Sequence, residues 1–467
     1  MRLAGLVLAA FAALPALPTA HAAKLTREQQ LLRDIYEELV EINTTDSAGD
    51  TTRAARAMAQ RLIAGGIPAG DVRVIVPPGA PRKGNLVARL RGRGKKKPLL
   101  LLAHIDTVEA KREDWQRDPF TLVEENGYFF ARGAYDDKAM AAGCVATLIR
   151  LKREAAVLDR DIIVALTADE EIIPSRWNGV AYLLAHHRDL IDAELALNEG
   201  ATGLNDPNGR PVYLGVQAGE KTFQTFRLEV TSPGGHSSRP TRDNAIYQLA
   251  EGLTRLSRFQ FPVKLNPVTR RYLARIAEVK GSELAADARD LRAVVQDRPD
   301  PRAAARVSEI PLLNATIRTT CVATMFEAGH ATNALPQRAR AVVNCRILPG
   351  ESVGEVQATL RRVLADERIA LAPDGEPVVP PAPPLEAIIG PVERIAAEMW
   401  PGVPVIPMMQ TGATDGRLLN VAGIPTYGVT GQYRDLDGNG THGLNERIRV
   451  ESLYDGHEFL YRLVKLL

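Results

Sequence analysis

Five stretches of the chain place a histidine or a carboxylate where an apolar or helical run begins or ends. In Leu99-Leu-Leu-Leu-Ala-His104-Ile-Asp106, strand alternation puts His104 and Asp106 on one face at the strand's end. A carboxylate beside an imidazole fixes the tautomer and direction of a metal-binding histidine, although a capped strand end would carry the same pair. Arg132-Gly-Ala-Tyr-Asp136-Asp137-Lys138 opens a helical stretch, where an acidic residue serves equally well as an N-cap. Thr167-Ala-Asp-Glu170-Glu171 crowds three carboxylates after the apolar run 162–166. A divalent cation would relieve their repulsion, and so would a solvated loop. Leu195-Ala-Leu-Asn-Glu199-Gly200 repeats the design with one carboxylate, and Gly440-Thr-His442-Gly-Leu-Asn-Glu446 lies far downstream in a Gly-rich loop.

Of the 8 histidines, His21 falls in an apolar N-terminal segment, His186 and His187 read as helix surface, and His457 lies in a C-terminal helix. His236 and His330 belong to a differently patterned region, which leaves His104 and His442 at polar junctions. Two imidazoles with three carboxylates suit a pair of borderline divalent ions such as zinc that share one carboxylate. A magnesium site would rely on oxygen ligands.

The elements that must position these groups follow from patterning. Between residues 24 and 220 short apolar runs at 98–102, 161–167 and 193–197 alternate with amphipathic stretches, an α/β pattern with a largely buried sheet. Asn126-Gly127 predicts a hairpin between 120–123 and 128–130 that delivers the chain to Asp136. From about residue 222 the order becomes strand 223–230, helix 244–256, strands near 323–327 and 338–347, helix 352–366 and strand 369–372. That is a split βαβ layout inserted in the larger domain. The Arg-rich stretch 265–306 could shape oligomerisation or access but reads first as a solvated helical insertion, and the Pro-rich run 376–384 reads as the stiff linker leading back.

With 467 residues, two domains are expected. A net charge of +2 and 24% charged residues offer no electrostatic case for nucleic acid or an anionic membrane, so the partner is a small molecule. Arg2, the apolar run 3–17 and Ala20-His21-Ala22 read as an export signal, with the mature chain starting near Ala23. Pro15 and Pro18 interrupt that run, which is too short to span a membrane. The location implied is secreted or periplasmic. Cys144, Cys321 and Cys345 show no C-x-x-C spacing. Cys321 and Cys345 could pair in an oxidising compartment, or both be buried thiols.

In this order, the motifs resemble those of the zinc-dependent metallopeptidase family that includes glutamate carboxypeptidase, carboxypeptidase S, aminoacylase and succinyl-diaminopimelate desuccinylase. The resemblance runs from about residue 24 to 465. It implies an α/β zinc-exopeptidase catalytic domain, a mixed sheet flanked by helices, with an inserted α+β ferredoxin-like lid or dimerisation domain. The boundaries implied are a signal at 1–22, catalytic parts at 23–219 and 377–467, and the insertion at 220–376. It implies two Zn2+ ions, with Co2+ or Mn2+ as substitutes: His104 and Glu199 on one, Glu171 and His442 on the other, Asp136 bridging. Asp106 would clamp His104, Glu170 would be the general base, and the Asp136-Asp137 peptide would be cis.

In the insertion, Gly234-Gly-His236-Ser-Ser resembles the family's lid histidine loop, while Asn333 and Arg346 resemble its substrate-binding asparagine and arginine. Read alone, Arg346 is a strand-end surface arginine; in the family it would hold a substrate carboxylate in a bidentate pair. Gly412 in Thr411-Gly-Ala-Thr414-Asp415 resembles the substrate loop; Ala413 and Ala139 stand where relatives carry other small residues. Gly-His-Ser-Ser, Glu199 and the His-Gly-x-x-Glu ending resemble the carboxypeptidase S and N-acyl-amino-acid hydrolase branch most. The function implied is hydrolysis of an amide bond next to a free carboxylate by a metal-activated water, on a peptide or N-acyl amino acid, by a homodimer joined through the lid. The alternative is a secreted small-molecule binding protein on the same fold, which would show a damaged cage or base; none is damaged here. No P-loop and no G-x-S-x-G elbow supports phosphoryl transfer or serine chemistry.

Overall fold

The computed structural model describes residues 24–172, 175–279 and 287–467. The export signal expected at 1–22 lies outside the described residues. No helix among the described residues is long and apolar enough to cross a membrane.

Helices α1 (Arg27–Val40) and α2 (Thr51–Ala64) precede strands β1 (Val72–Ile75), β2 (Asn85–Leu90) and β3 (Leu99–His104). A hairpin, β4 (Val123–Glu125) and β5 (Tyr128–Phe130), leads to α3 (Lys138–Arg153) and β6 (Ile162–Thr167). Helices α4 (Gly179–His186) and α5 (Arg188–Ile191) return the chain to β7 (Leu195–Asn198), β8 (Gly203–Asn205) and β9 (Pro211–Glu220). The hairpin's first strand starts at Val123 rather than at residue 120. The Asp118 side chain accepts the Phe120 amide at 2.8 Å, and that local turn occupies the backbone a longer strand would need.

Parallel neighbours β6, β3 and β7 form the centre of the mixed main sheet. Their continuous apolar runs are buried on both faces, as parallel strands require. Leu99, Leu101 and Ala103 face the core shared with α1, α2, α3 and the C-terminal helices, while Leu100 and Leu102 face Val180 and Leu183 of α4. Because all three strands run one way, their C-terminal ends open on a single edge.

β10 (Thr222–Thr231) begins a second sheet, with β12 (Thr320–Ala328), β14 (Arg338–Ile347) and β15 (Ala370–Asp374), in the antiparallel order β12-β14-β10-β15. Helices α6 (Ala245–Arg258) and α11 (Val353–Leu364), capped by Asn244 and Ser352, cover one face. This is the expected ferredoxin-like arrangement. A two-residue ribbon, β11 (Gly235–His236) with β13 (Ala334–Leu335), projects from it. Cys321 and Cys345 sit opposite each other on β12 and β14 and form a disulfide, so direct cross-strand pairing decides between the two readings of those thiols.

The segment between β11 and β12 overturns the expectation of a solvated insertion. Helices α7 (Pro267–Ile276), α8 (Ala288–Val294), α9 (Pro301–Val307) and α10 (Pro311–Ile317) bury Tyr272, Leu273, Leu291, Val307 and Leu313 against Leu204, Tyr213 and Ile406 of the main sheet. Their arginines stay at the surface, as Arg306 does in its ion pair with Asp290, and this high charge hides a real apolar stripe. The chain then completes the main sheet with α12 (Ile389–Met399), β16 (Val405–Gln410), α13 (Gly416–Val421), β17 (Thr426–Gly428) and β18 (Tyr433–Arg434). β19 (Arg447–Arg449) pairs with β5, and α14 (Val450–Leu466) packs on α3.

Candidate metal centre

His104 is the last residue of β3 and lies opposite Thr167 of β6, so Glu170 and Glu171 follow on the adjacent strand's exit. Glu199 comes directly after β7, Asp136 two residues before α3, and His442 from the loop before β19. Nε2 of His104 is 3.0 Å from Oδ1 of Asp136. Nε2 of His442 is 2.9 Å from Oε1 of Glu171 and 3.2 Å from Oδ2 of Asp136. Asp136 thus offers one oxygen to each imidazole. Ligand atoms of His104, Asp136 and Glu171 lie within 4.8 Å of one another, as do those of His104, Glu170 and Glu199.

The donor set suits two divalent ions on chemical grounds. Buried carboxylates outnumber the cationic side chains among them, and nitrogen and oxygen donors are mixed. Burial drives Glu199 well above the usual carboxylate range, with Asp136 adding to the rise. Burial would raise Asp136 too, but hydrogen bonds from His104 and His442 hold it below its ordinary value. Hydrogen bonds to Asp136 and Glu171 push His442 up to about 10. Such mutual dependence is that of groups whose charges a shared cation would balance.

Several side chains hold the cage in place. Nδ1 of His104 donates to the Asp106 carbonyl at 3.1 Å, which turns Nε2 toward the cage. The Asp106 carboxylate is farther from that ring, at 3.6 Å, and instead accepts the amides of Glu170 and Glu171 at 3.2 and 3.1 Å. The expected clamp on His104 is therefore chiefly a backbone carbonyl, and the carboxylate ties two strand exits together. Of the three consecutive acids, Asp169 turns away to Lys83 at 2.6 Å and to Ser175. The Asp136-Asp137 peptide is cis, as the resemblance implies.

Glu446, quoted above only as the end of a motif, is the strongest of these supports. Its carboxylate, fully buried, accepts from Arg132 at 2.7 Å and from the amides of Gly133, Tyr135 and Asp136 at 3.0, 2.8 and 2.9 Å. Gly133 has φ +77°, and a Cβ there would meet Thr107 at 2.7 Å. The loop carrying Asp136 and the loop carrying His442 are thus one bracket. The sequence signal was the matching spacing, Arg132 four before Asp136 and Glu446 four after His442.

The model of peptidase family M20/M25/M40 matches residues 100–466. The chain belongs to this family. It is 28% identical over 387 residues to human N-fatty-acyl-amino acid synthase/hydrolase PM20D1, covering 79% of this chain and 74% of that one. It is also 28% identical over 381 residues to "Probable carboxypeptidase S-like 2" of Dictyostelium discoideum, covering 79% and 71%. The fold matches the M20 family metallo-carboxypeptidase Sso-CP2 of Sulfolobus solfataricus with a TM-score of 0.69 at 19% identity, over 95% of this chain and 99% of that one. It matches the Bacillus subtilis YXEP protein, a dinuclear metal-binding M20 peptidase, at 0.58 and 14% identity, over 94% and 98%. The protein is an M20 metallo-hydrolase, an enzyme acting as a metallopeptidase or amidohydrolase on a dinuclear metal-binding fold.

Beside the cage of this M20 hydrolase sits Glu170, 8% exposed. Burial raises its pKa well above the usual range; His104 opposes this, while Glu199, Asp415 and Glu171 reinforce it. Asp415, pushed up to about 6 by burial against the pull of Arg417, accepts from Asn178 at 2.7 Å. The loop of Gly412 is anchored where Glu220 accepts the Thr414 amide at 2.7 Å and its hydroxyl at 3.0 Å.

The lid residues do not gather at one place. His236 and Asn333 lie together on the exposed β11–β13 ribbon, where the Asn333 carbonyl accepts the Ser237 amide at 3.0 Å. The Ser238 amide donates to Nδ1 of His236 at 3.1 Å, so that ring's proton sits outward on Nε2. Arg346 lies near the opposite end of β14, opposite Phe223, with its guanidinium over that ring at 4.6 Å. From Arg338 the strand carries Arg346 about 26 Å along. Nη1 of Arg346 is buried without a hydrogen-bond partner, and burial, with Arg417 nearby, lowers its pKa.

Proposed function

We propose that the protein hydrolyses an amide bond next to a free carboxylate, as a carboxypeptidase, dipeptidase or N-acyl-amino-acid amidohydrolase. The observation that carries this reading is Asp136, one oxygen on each of His104 and His442, with buried Glu170 alongside. His104 and Glu199 would hold one ion, Glu171 and His442 the other, and Asp136 both. Two zinc ions, or cobalt or manganese, would supply the charge that acidifies a water and polarises the amide carbonyl. Glu170, buried beside the cage, would take the water's proton as it attacks and deliver it to the leaving amine. The unsatisfied Nη1 of Arg346 is a donor for the substrate carboxylate. The relatives' names, carboxypeptidase S-like and N-fatty-acyl-amino acid synthase/hydrolase, support both peptide and N-acyl amino acid substrates.

The outward Nε2–H of His236 is suited to an oxyanion but is remote from Arg346 along the lid, so we read the site as completed by a second copy. The exposed edge strand β12, with Val322, Met325 and Phe326 at 60%, 67% and 48% exposure, supports a dimer through the lid sheet. The basic and apolar N-terminal sequence and the Cys321–Cys345 disulfide support an exported, secreted or periplasmic protein. The test is a panel of dipeptides and N-acyl amino acids assayed on chelated protein resupplied with zinc, cobalt or manganese. Hydrolysis restored by metal and lost when the substrate's free carboxylate is amidated is the expected result. Equal cleavage of the amidated substrates would remove the carboxylate anchor, and no cleavage at all would remove the reading.

A further inference from the structure

A cavity of about 210 Å³ lies where the main sheet meets α7 and α10, one residue along the chain from two of the cage ligands. One wall is Tyr272 of α7 with Leu312 and Thr316 of α10; another is Met408 and Met409 of β16. The lining also includes Tyr135 and Gly200, the chain neighbours of Asp136 and Glu199. Gly200 is held against Gln217, whose Oε1 would lie 2.0 Å from any added Cβ, so this part of the cavity lining leaves no room for a side chain at position 200. The helices behind the first wall are the ones whose buried face packs on β8, β9 and β16.

We infer that this cavity receives the acyl half of the substrate, and that α7 and α10 set which acyl group is accepted: an aromatic ring or a straight chain of roughly six to eight carbons. The inference rests on the amide-hydrolase reading. Arg346 takes the half that bears the carboxylate, which leaves the group on the other side of the scissile bond for the cavity lined by Tyr135 and Gly200. The lining mixes the polar Gln217, Gln410 and Arg434 with Tyr272, Leu312, Met408 and Met409, and the methionine, leucine and tyrosine part suits apolar, shape-tolerant contact. For size, a cavity of about 150 Å³ holds benzene, so 210 Å³ scales to roughly eight carbons. A long fatty chain would have to leave the cavity for solvent, where its further methylenes gain nothing.

The experiment is an N-acyl series on one amino acid, from acetyl through butanoyl, hexanoyl, octanoyl and dodecanoyl, with phenylacetyl, using zinc-loaded protein. Each methylene buried should raise kcat/KM by about fourfold until the cavity is full, so the profile climbs to hexanoyl or octanoyl and then levels. Leu312→Trp, at a partly exposed helix position, should cut the hexanoyl-to-acetyl ratio of kcat/KM by tenfold or more, and Leu312→Ala should move the break to longer chains. Circular dichroism and the melting temperature establish that both variants fold. In parallel, calorimetric titration should show hexanoate binding at least tenfold tighter than acetate, with that advantage lost in Leu312→Trp. A flat profile, or a break that neither variant moves, overturns the inference while leaving amide hydrolysis intact. If no amide in the series is cleaved, the hydrolase reading fails, and the titration alone decides the cavity: equal binding of hexanoate and acetate overturns it.

Discussion

The metal cage and the lid differ in what holds their functional side chains. Cage residues leave buried parallel strands at one sheet edge, or sit on two loops that Glu446 and Arg132 bind into one. Lid residues sit on the surface of a small antiparallel unit, with His236 and Asn333 on a projecting ribbon and Arg346 near the far end of β14. On our reading the candidate cage draws its ligands from one chain, whereas His236 and Arg346 stand apart on the lid and would need closure or a second copy to act together.

The contrast is sharpest in turnover. Glu170→Gln should lower kcat by about 10³-fold or more while the protein keeps its metal by elemental analysis; a variant retaining a tenth of the activity would move the base elsewhere. Glu446→Ala should break the bracket, leaving Arg132 buried and unpaired. We expect a loss of about 3–5 kcal/mol in stability and 10–100-fold in metal affinity, read by denaturant melts and metal titration. An unchanged affinity would mean that the loops hold Asp136 and His442 without it.

The loop anchor Glu220 tests the cage side by pH. Burial raises its pKa from 4.5 to about 7, against the hydrogen bonds from Thr414. A folded pKa above the unfolded one gives stability that is fully present below pH 4.5 and lost as the pH rises through about 7. Metal-free protein should therefore lose about 3 kcal/mol across that window from this group, and Glu220→Gln should flatten the slope; an unaltered slope would assign it to other carboxylates. On the lid, Arg346→Ala should raise KM for a carboxylate-bearing substrate about 100-fold, the scale of a lost bidentate pair, with kcat changed less. Mixing His236→Ala with Glu170→Gln protein should restore part of the activity if His236 serves the other copy's cage. No restoration at any ratio would place closure within one chain.

Much of the cage was legible because its signals are local. An apolar run ending in His104, Glu170-Glu171 or Glu199 states both that a strand is buried and that its tip is polar, and helix caps such as Asn244 and Ser352 mark their own elements. The burial of α7–α10 was not legible: arginines dilute the apolar stripe, and charge read along the chain does not say which face of a helix meets a sheet. Asp106 shows the same limit, since spacing placed it beside His104 but could not tell that its carboxylate would take the amides of Glu170 and Glu171.

The order and residue types of the motifs, by themselves, determined the α/β class and the candidate metal chemistry, since strand periodicity and donor chemistry are properties of short segments. Only the tertiary structure decided that Glu446 brackets Asp136 and His442, that helices read as solvated wall a cavity against the main sheet, and that His236 and Arg346 stand apart. Each of those depends on which distant surfaces exclude water together, and chain order does not encode distance in space.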